Sequence, residues 1–318
     1  MPGERRRIII DCDPGQDDAI NLFLALAATS ELELVGLTTV AGNVPLPFTT
    51  RNARLICDLA DRADVAIHAG CASPLRRVAL TAESVHGESG LGDLDIGRPQ
   101  TALASTAATA FLAETLASAP RESITLVATG PLTNLAAAFA ERPDCLAGVA
   151  EVVLMGGAFR EAGNYSPCAE FNVIADPEAA ARVFGCGRPL TVAGLDLTHQ
   201  VVVTPARRLR FEALKSPAGR AVGKMLDFFQ RHAPARCADG FPLHDPCTIA
   251  YLLAPALFEG RHCNLEVETE STLTLGHTVV DYWGVTSRPP NVNWLYRAEV
   301  EAVFDLLLDM LKRFEKKR

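Results

Sequence analysis

The sequence predicts an α/β protein: a single domain on a mostly parallel open sheet, with helices on both faces and its active site at the strand carboxyl ends. Three observations carry this. Short apolar runs such as Ile8-Ile9-Ile10 have the β-branched content of buried strands. They alternate with helical stretches along the chain. The first run ends in Asp11-Cys12-Asp13-Pro14-Gly15-Gln16-Asp17-Asp18, which puts polar residues where open α/β sheets bind their ligands.

Each element follows in order. Residues 19–26 are an apolar helix, and residues 34–40 a strand closed by Ala41-Gly42-Asn43. Residues 50–59 read as helix and 65–68 as a short strand, with His68 structural. Residues 79–99 lack periodicity and hold Glu83, His86, Glu88, Asp93, Asp95 and several glycines, the composition of a binding loop or lid. A helix over 102–116 precedes a strand at 124–128, and the turn from Thr129 to Asn134 enters a helix near Leu135. Residues 151–155 form a strand ending in Gly156-Gly157, followed by a loop over 163–172. Asp176-Pro177-Glu178 combines a cap, a first-turn proline and an acid, and so starts a helix. A strand at 191–195 leads to Asp196, read as structural.

The last third predicts a helix over 219–232, a loop near 234–240, and a helix over 247–253 with His244 and Asp245 at its start. Strand material follows at 265–275 and an edge strand at 277–281. An amphipathic helix over 298–314 completes the order. No Ser-, Gly- or Pro-rich linker divides the chain, so residues 1–318 are read as one domain.

Composition narrows the function. The 318 residues are 48% apolar and 21% charged, an ordinary globular balance. A net charge of −8 argues against a nucleic-acid surface, and Arg5-Arg6-Arg7 is too short to alter that. No apolar run has the length of a membrane span. Nine cysteines without a CxxC pair, and no signal-peptide pattern ahead of the first strand, point to reduced thiols in a cytoplasmic protein.

Four aspartates within eight positions repel one another unless a cation or a shared proton compensates them. Pro14-Gly15 turns the chain sharply enough for Asp13, Asp17 and Asp18 to converge. Helix capping by Asp17 or Asp18 accounts for one or two of these carboxylates, and a divalent cation accounts for the set. Asp11 is read as orienting the turn through backbone N–H groups. Asp245, before Pro246, has the pattern of a helix cap, and capping leaves its other oxygen available. Glu170, Asn164 and Asn172 each have a plainer reading, as a surface acid and two Asx turns.

Asp11 to Asp18 has the DxDPGxDD form of the inosine–uridine preferring nucleoside hydrolases. Val40-Ala41-Gly42-Asn43, His86-Gly87-Glu88-Ser89-Gly90-Leu91, Ala128 to Asn134, Met155-Gly156-Gly157, Ala169-Glu170-Phe171-Asn172 and His244-Asp245-Pro246 resemble that family's segments, in its order. The resemblance runs from about residue 7 to about residue 314. It implies a Ca2+ ion held by Asp13, Asp18 and Asp245 and by the Thr129 carbonyl, with Asp13 also the base acting on a metal-bound water. It implies Asp17, Asn43 and Asn172 at the ribose hydroxyls, and Met155 at the substrate. Asn164 and Glu170 fall at the 5′-hydroxyl, with His86 closing over it, and His244 helps the base leave. It further implies a small-molecule ribonucleoside substrate and a homodimer or homotetramer. Gln16 and the segment with His232, Cys237 and Asp239 depart from the family pattern, so the choice between purine and pyrimidine stays open.

That chemistry suits the residues. Calcium prefers oxygen ligands, and cleavage of an N-glycosidic bond places positive charge on the sugar and negative charge on the base. Two rivals remain at this stage: a non-catalytic nucleoside or sugar sensor, and a haloacid dehalogenase-like phosphatase, against which Pro14-Gly15 and the acidic pair weigh.

Overall fold

Ile8, Ile9 and Ile10 are all fully buried, yet they face opposite sides of one sheet. Ile8 and Ile10 pack into one apolar layer with Cys12, Leu37, Val127 and Val153. Ile9 joins a second layer with Leu126, Ala128, Val152, Leu154, Val192 and Trp294. The period-two alternation of a strand, with both faces covered, is why these segments read as unbroken apolar runs.

The computed structural model describes residues 5–94, 97–232 and 239–315. The chain begins β1 (Arg6–Cys12), α1 (Gln16–Ala27), β2 (Leu32–Thr39), α2 (Leu46–Leu59), β3 (Ile67–Ala69) and the single turn α3 (Glu83–His86). It continues α4 (Ala108–Ser118), β4 (Ile124–Ala128), α5 (Thr133–Glu141), β5 (Val149–Met155), α6 (Phe171–Ala175), α7 (Pro177–Phe184), β6 (Leu190–Ala193) and α8 (Leu195–Thr198). Then come β7 (Val202–Val203), α9 (Pro205–Glu212), α10 (Pro217–His232), β8 (Phe241–Pro242) and α11 (Pro246–Leu253). β9 (Phe258–Val267), β10 (Thr278–Asp281), β11 (Val292–Ala298) and α12 (Val300–Lys312) complete it.

Among the described residues, nine strands form one sheet in the order β10-β9-β11-β6-β5-β4-β1-β2-β3. Pairing is parallel from β11 through β3 and antiparallel at β9 and β10. The order reverses at β1, which has β2 on one side and β4 on the other. That reversal opens a crevice at the strand carboxyl ends, and the acidic turn after β1 lies there. Residues of α1, α2, α10, α11 and α12 cover one face; those of α4, α5 and α7 cover the other. All twelve residues of α1 are buried, as an apolar helix packed between the sheet and further helices must be. Among the described residues no helix is long and apolar enough to cross a membrane.

The predicted α/β class and its mostly parallel sheet are present, with local corrections. The helix expected over 102–116 starts at Ala108, because the preceding backbone pairs with β3: Ala104 N donates to Ile67 O, and Ala69 N to Ser105 O. Strand material placed at 265–275 lies earlier, in β9. The backbone beyond Val267 turns instead, with Glu268 accepting from the N–H groups of Glu270 and Ser271. β11 was not anticipated, although it sits between β6 and β9 with Trp294 and Leu295 buried. Asp95 and Cys237 lie outside the described residues.

Trp294 fills the space left by two glycines at the strand ends. A Cβ on Gly194 would lie 2.4 Å from its ring, and one on Gly157 3.4 Å. Trp294→Ala should therefore destabilise the fold by about 3–5 kcal/mol, measured by denaturant unfolding. A loss below about 1 kcal/mol would show that this seam does not depend on the indole.

Candidate active site

The acidic turn is built by backbone geometry first. Pro14-Gly15 ends β1 and lets α1 start at Gln16, which puts Asp17 and Asp18 in its first turn. Asp18 Oδ2 accepts from Gly15 N at 3.0 Å, so the capping reading is true of Asp18. The residue does more: its Oδ1 accepts from Thr129 Oγ1 at 2.7 Å, and Oδ2 also accepts from Asn43 Nδ2 at 3.0 Å.

Asn43 ties the two ends of the turn together. Its backbone N–H donates to Asp13 Oδ2 at 2.6 Å and its Nδ2 to Asp13 O at 3.2 Å. The chain comes this close because residue 42 is glycine; a Cβ there would lie 2.0 Å from Asp13 Oδ2. Asp245 arrives from α11, 227 positions beyond Asp18. Its side chain makes no cap hydrogen bond, contrary to the capping pattern, and its carboxylate turns into the cluster.

Asp17, Asp18 and Asp245 are buried, and each offers an oxygen within 4.8 Å of the others. The expected ligand set named Asp13 and not Asp17. Asp13 lies beside the group, fully buried and repelled by the Asp18 carboxylate. Burial raises all four carboxyls above the usual range, and mutual repulsion adds to it at Asp13, Asp18 and Asp245; Asp18 rises to about 7. At Asp17 the nearby His244 opposes the rise. Among the described residues, Asp13 Oδ1 and Asp17 Oδ1 are buried without a hydrogen-bond partner.

The surrounding residues divide into gathered and remote. Asn172, from α6, donates Nδ2 to Thr129 O at 2.8 Å and to Met155 O at 3.2 Å, so the ends of β4 and β5 meet at one amide. Glu170 is buried, not a surface acid. It caps α6, with Oε1 accepting from Asn172 N and Oε2 from Val173 N and Gly157 N. His86 is buried at the end of α3, with Nδ1 2.6 Å from Gln16 Oε1 and its own carbonyl accepting from Gln16 Nε2. Burial lowers its pKa to about 4. His244 is half-buried, with Nδ1 2.8 Å from Thr198 Oγ1; burial lowers it to about 4 against the pull of Asp17. Asn164 is exposed, and its Oδ1 accepts from Phe171 N, next to Glu170. Asp196 is structural as expected, binding the N–H groups of Phe159 and Arg160.

Two supports were missed in the sequence. Asp11 does not orient the turn through backbone N–H groups; its Oδ1 accepts from Thr38 Oγ1 and Asn134 Nδ2. Asn134 also donates to Thr39 O and accepts from Cys71 N. The four-residue helix α8, which supplies Thr198, was also unmarked. Asn134 closes the family-like segment Ala128 to Asn134 but had no role assigned, and Thr198 has no local signal beyond following a strand at the same sheet edge.

The donor chemistry fits calcium. The cluster is all oxygen, and among the described residues two of the neighbouring buried carboxylate atoms have no partner and no cysteine or histidine belongs to it. The family model described as inosine-uridine preferring nucleoside hydrolase matches residues 8–305. The chain belongs to that family. This nucleoside hydrolase is 44% identical to a pyrimidine-specific ribonucleoside hydrolase (RihA) of Shewanella sp. over 96% of both chains. It is likewise 44% identical to the Klebsiella pneumoniae protein of that name, over 96% of this chain and 97% of the relative. Among solved structures it is similar to a plant nucleoside hydrolase (32% identity, TM-score 0.86, 97% and 99% of the two chains). A purine-preferring ribonucleoside hydrolase from Gardnerella vaginalis gives 28% identity and a TM-score of 0.91, over 98% and 100%. The protein is thus a ribonucleoside N-glycosidase, and its Asp17–Asp18–Asp245 cluster matches the family's calcium centre. Neither the phosphatase nor the non-catalytic reading survives this.

The shifted carboxyls set a pH signature. In the folded, metal-free chain Asp18 and Asp11 keep their protons up to about pH 7, whereas unfolded they titrate near 3.8. The folded state binds more protons in that interval, so metal-free stability falls as pH rises through it. Calcium favours the ionised carboxylates and offsets the loss. The Tm difference between calcium-loaded and chelated protein should widen from about pH 5 to about pH 8. A difference that stays constant or narrows would contradict the assignment.

Proposed function

We propose that this hydrolase cleaves pyrimidine ribonucleosides, uridine foremost, to ribose and free base, with inosine the weaker substrate. The buried carboxylate cluster beside His244 carries the reaction, and the relatives named pyrimidine-specific at 44% identity support the base. Oxygens of Asp17, Asp18 and Asp245, with Asp13 and the Thr129 carbonyl adjoining, would hold calcium, which would supply positive charge and Lewis acidity.

The chain's own residues do the rest. Asp13 is the general base: Asn43 N holds its Oδ2, and Oδ1 is left to accept a proton from the attacking water. Attack opposite the base inverts the anomeric carbon. Asp17 Oδ1 accepts from a ribose hydroxyl, and Asn172, whose Nδ2 is spent on two carbonyls, offers its Oδ1 to the same end of the sugar. Asn43 stiffens this face. Glu170 receives the 5′-hydroxyl on a lone pair its three backbone donors leave open, and Asn164 has only its amide nitrogen to add. His86, held by Gln16, closes over that end. Ionised carboxylates favour the cationic sugar, and His244 donates to the departing base.

Free ribose released from uridine, cytidine and inosine, with and without a chelator, tests this. The expected result is calcium-dependent release with the highest kcat/KM on a pyrimidine. The ribose pose predicts that 2′-deoxyuridine loses on the order of 10⁴-fold in kcat/KM, because buried polar groups are left unpaired. A purine optimum would overturn the base assignment, and equal rates for uridine and 2′-deoxyuridine the ribose pose. Asp13→Asn should lower kcat by roughly 10²–10⁴-fold; near wild-type turnover would remove it as the base.

A further inference from the structure

Thr198 closes α8 directly beneath His244. Its side chain is fully buried, and Oγ1 lies 2.8 Å from His244 Nδ1. The two residues are held in register by backbone pairing: Leu243 N donates to Val201 O at 2.9 Å, and β7 pairs with β8 through Val203 and Phe241. The contact therefore does not depend on a flexible loop.

A hydroxyl has one proton to place, and burying that proton without an acceptor is costly. Among the described residues the only hydrogen-bond partner of Thr198 Oγ1 is His244 Nδ1. Nδ1 must then accept, which puts the ring proton of neutral His244 on Nε2. Nε2 has no hydrogen-bond partner among the described residues. His86 shows the opposite arrangement. Gln16 Nε2 donates to His86 O, so Gln16 Oε1 faces Nδ1 and accepts its proton. Its neighbours thus set His86 as an Nε2 acceptor, while Thr198 sets His244 as an Nε2–H donor.

We propose that Thr198 is a positioning residue for leaving-group departure: its buried hydroxyl donates to His244 Nδ1 and holds the imidazole as an Nε2–H donor toward the base. This rests on the reading of His244 as the group that serves the leaving base. No proton is transferred in this step. As the C1′–N bond breaks, its electron pair goes to the heterocycle, and the Nε2–H hydrogen bond stabilises the negative charge collecting there. Loss of the hydroxyl lets the ring take the other tautomer, which offers the base a lone pair instead of a donor.

The test uses Thr198→Val, Thr198→Ser and His244→Ala in the full-length calcium enzyme. Each is assayed on the preferred ribonucleoside and on p-nitrophenyl riboside, whose leaving group needs no donor. Thr198→Val should lower kcat on the nucleoside by roughly 10²-fold, the scale of one lost charge-stabilising donor, with little change in KM. It should stay within a few fold of wild type on p-nitrophenyl riboside, which also shows that it is folded. Thr198→Ser should restore most of the nucleoside rate, and Thr198→Val added to His244→Ala should cost nothing more. Nucleoside turnover by Thr198→Val near wild type, or equal losses on both substrates, overturns the proposal while a selective loss in His244→Ala leaves that residue's role standing. If His244→Ala shows no selective loss, the reading of His244 fails first and takes this one with it.

Discussion

Like charges buried side by side govern this molecule. Asp17, Asp18 and Asp245 bring buried oxygens within 4.8 Å of one another, with the Asp13 carboxylate beside them. At 4.8 Å and an effective dielectric of about 20, each ionised pair repels by roughly 3 kcal/mol. Without a cation the chain relieves this by holding protons: burial raises all four carboxyls, and the repulsion adds to the rise at Asp13, Asp18 and Asp245. With one, the attraction between the ion and the ionised carboxylates outweighs the repulsion among them.

The fold delivers that arrangement before any ligand arrives. β1 lies where the strand order reverses, so the turn after it faces the turns after β2, β4, β5 and β6. Side-chain amides then stitch the strand ends together: Asn43 joins the turn after β2 to Asp13 and Asp18, Asn134 joins α5 to Asp11, and Asn172 joins α6 to Thr129 and Met155. These contacts are neutral donors aimed at carboxylates or carbonyls, which fixes oxygen positions without cancelling their charge. A site ordered this way needs little rearrangement to take up a cation and a polar sugar.

Much of this was legible in the chain itself, and the illegible parts have physical reasons. Ile8-Ile9-Ile10 and the acidic turn announced a buried strand and its ligand end, because unbroken apolarity and clustered charge are local signals. β11 escaped: its alternation is interrupted by Asn293 and Arg297, and nothing nearby shows that it inserts between β6 and β9. The helix placed at 102–116 overran its true start because alanine content favours helix, whereas pairing with β3 consumes the backbone of Ala104 and Ser105. Within the site the sequence singles out the carboxylates and Asn43, Asn164 and Asn172, but neither the Thr198 hydroxyl nor the Asn134 amide. Thr198 and Asn134 act through contacts with residues 46 and 123 positions away, which no spacing rule reveals.

Protons and calcium compete for the same buried oxygens. Calorimetric titration of metal-free protein with calcium, just below neutral pH and in buffers of different ionisation enthalpy, measures that competition directly. About one ion per chain should bind, with net release of protons. Calcium binding without proton release, or no binding at all, would contradict it.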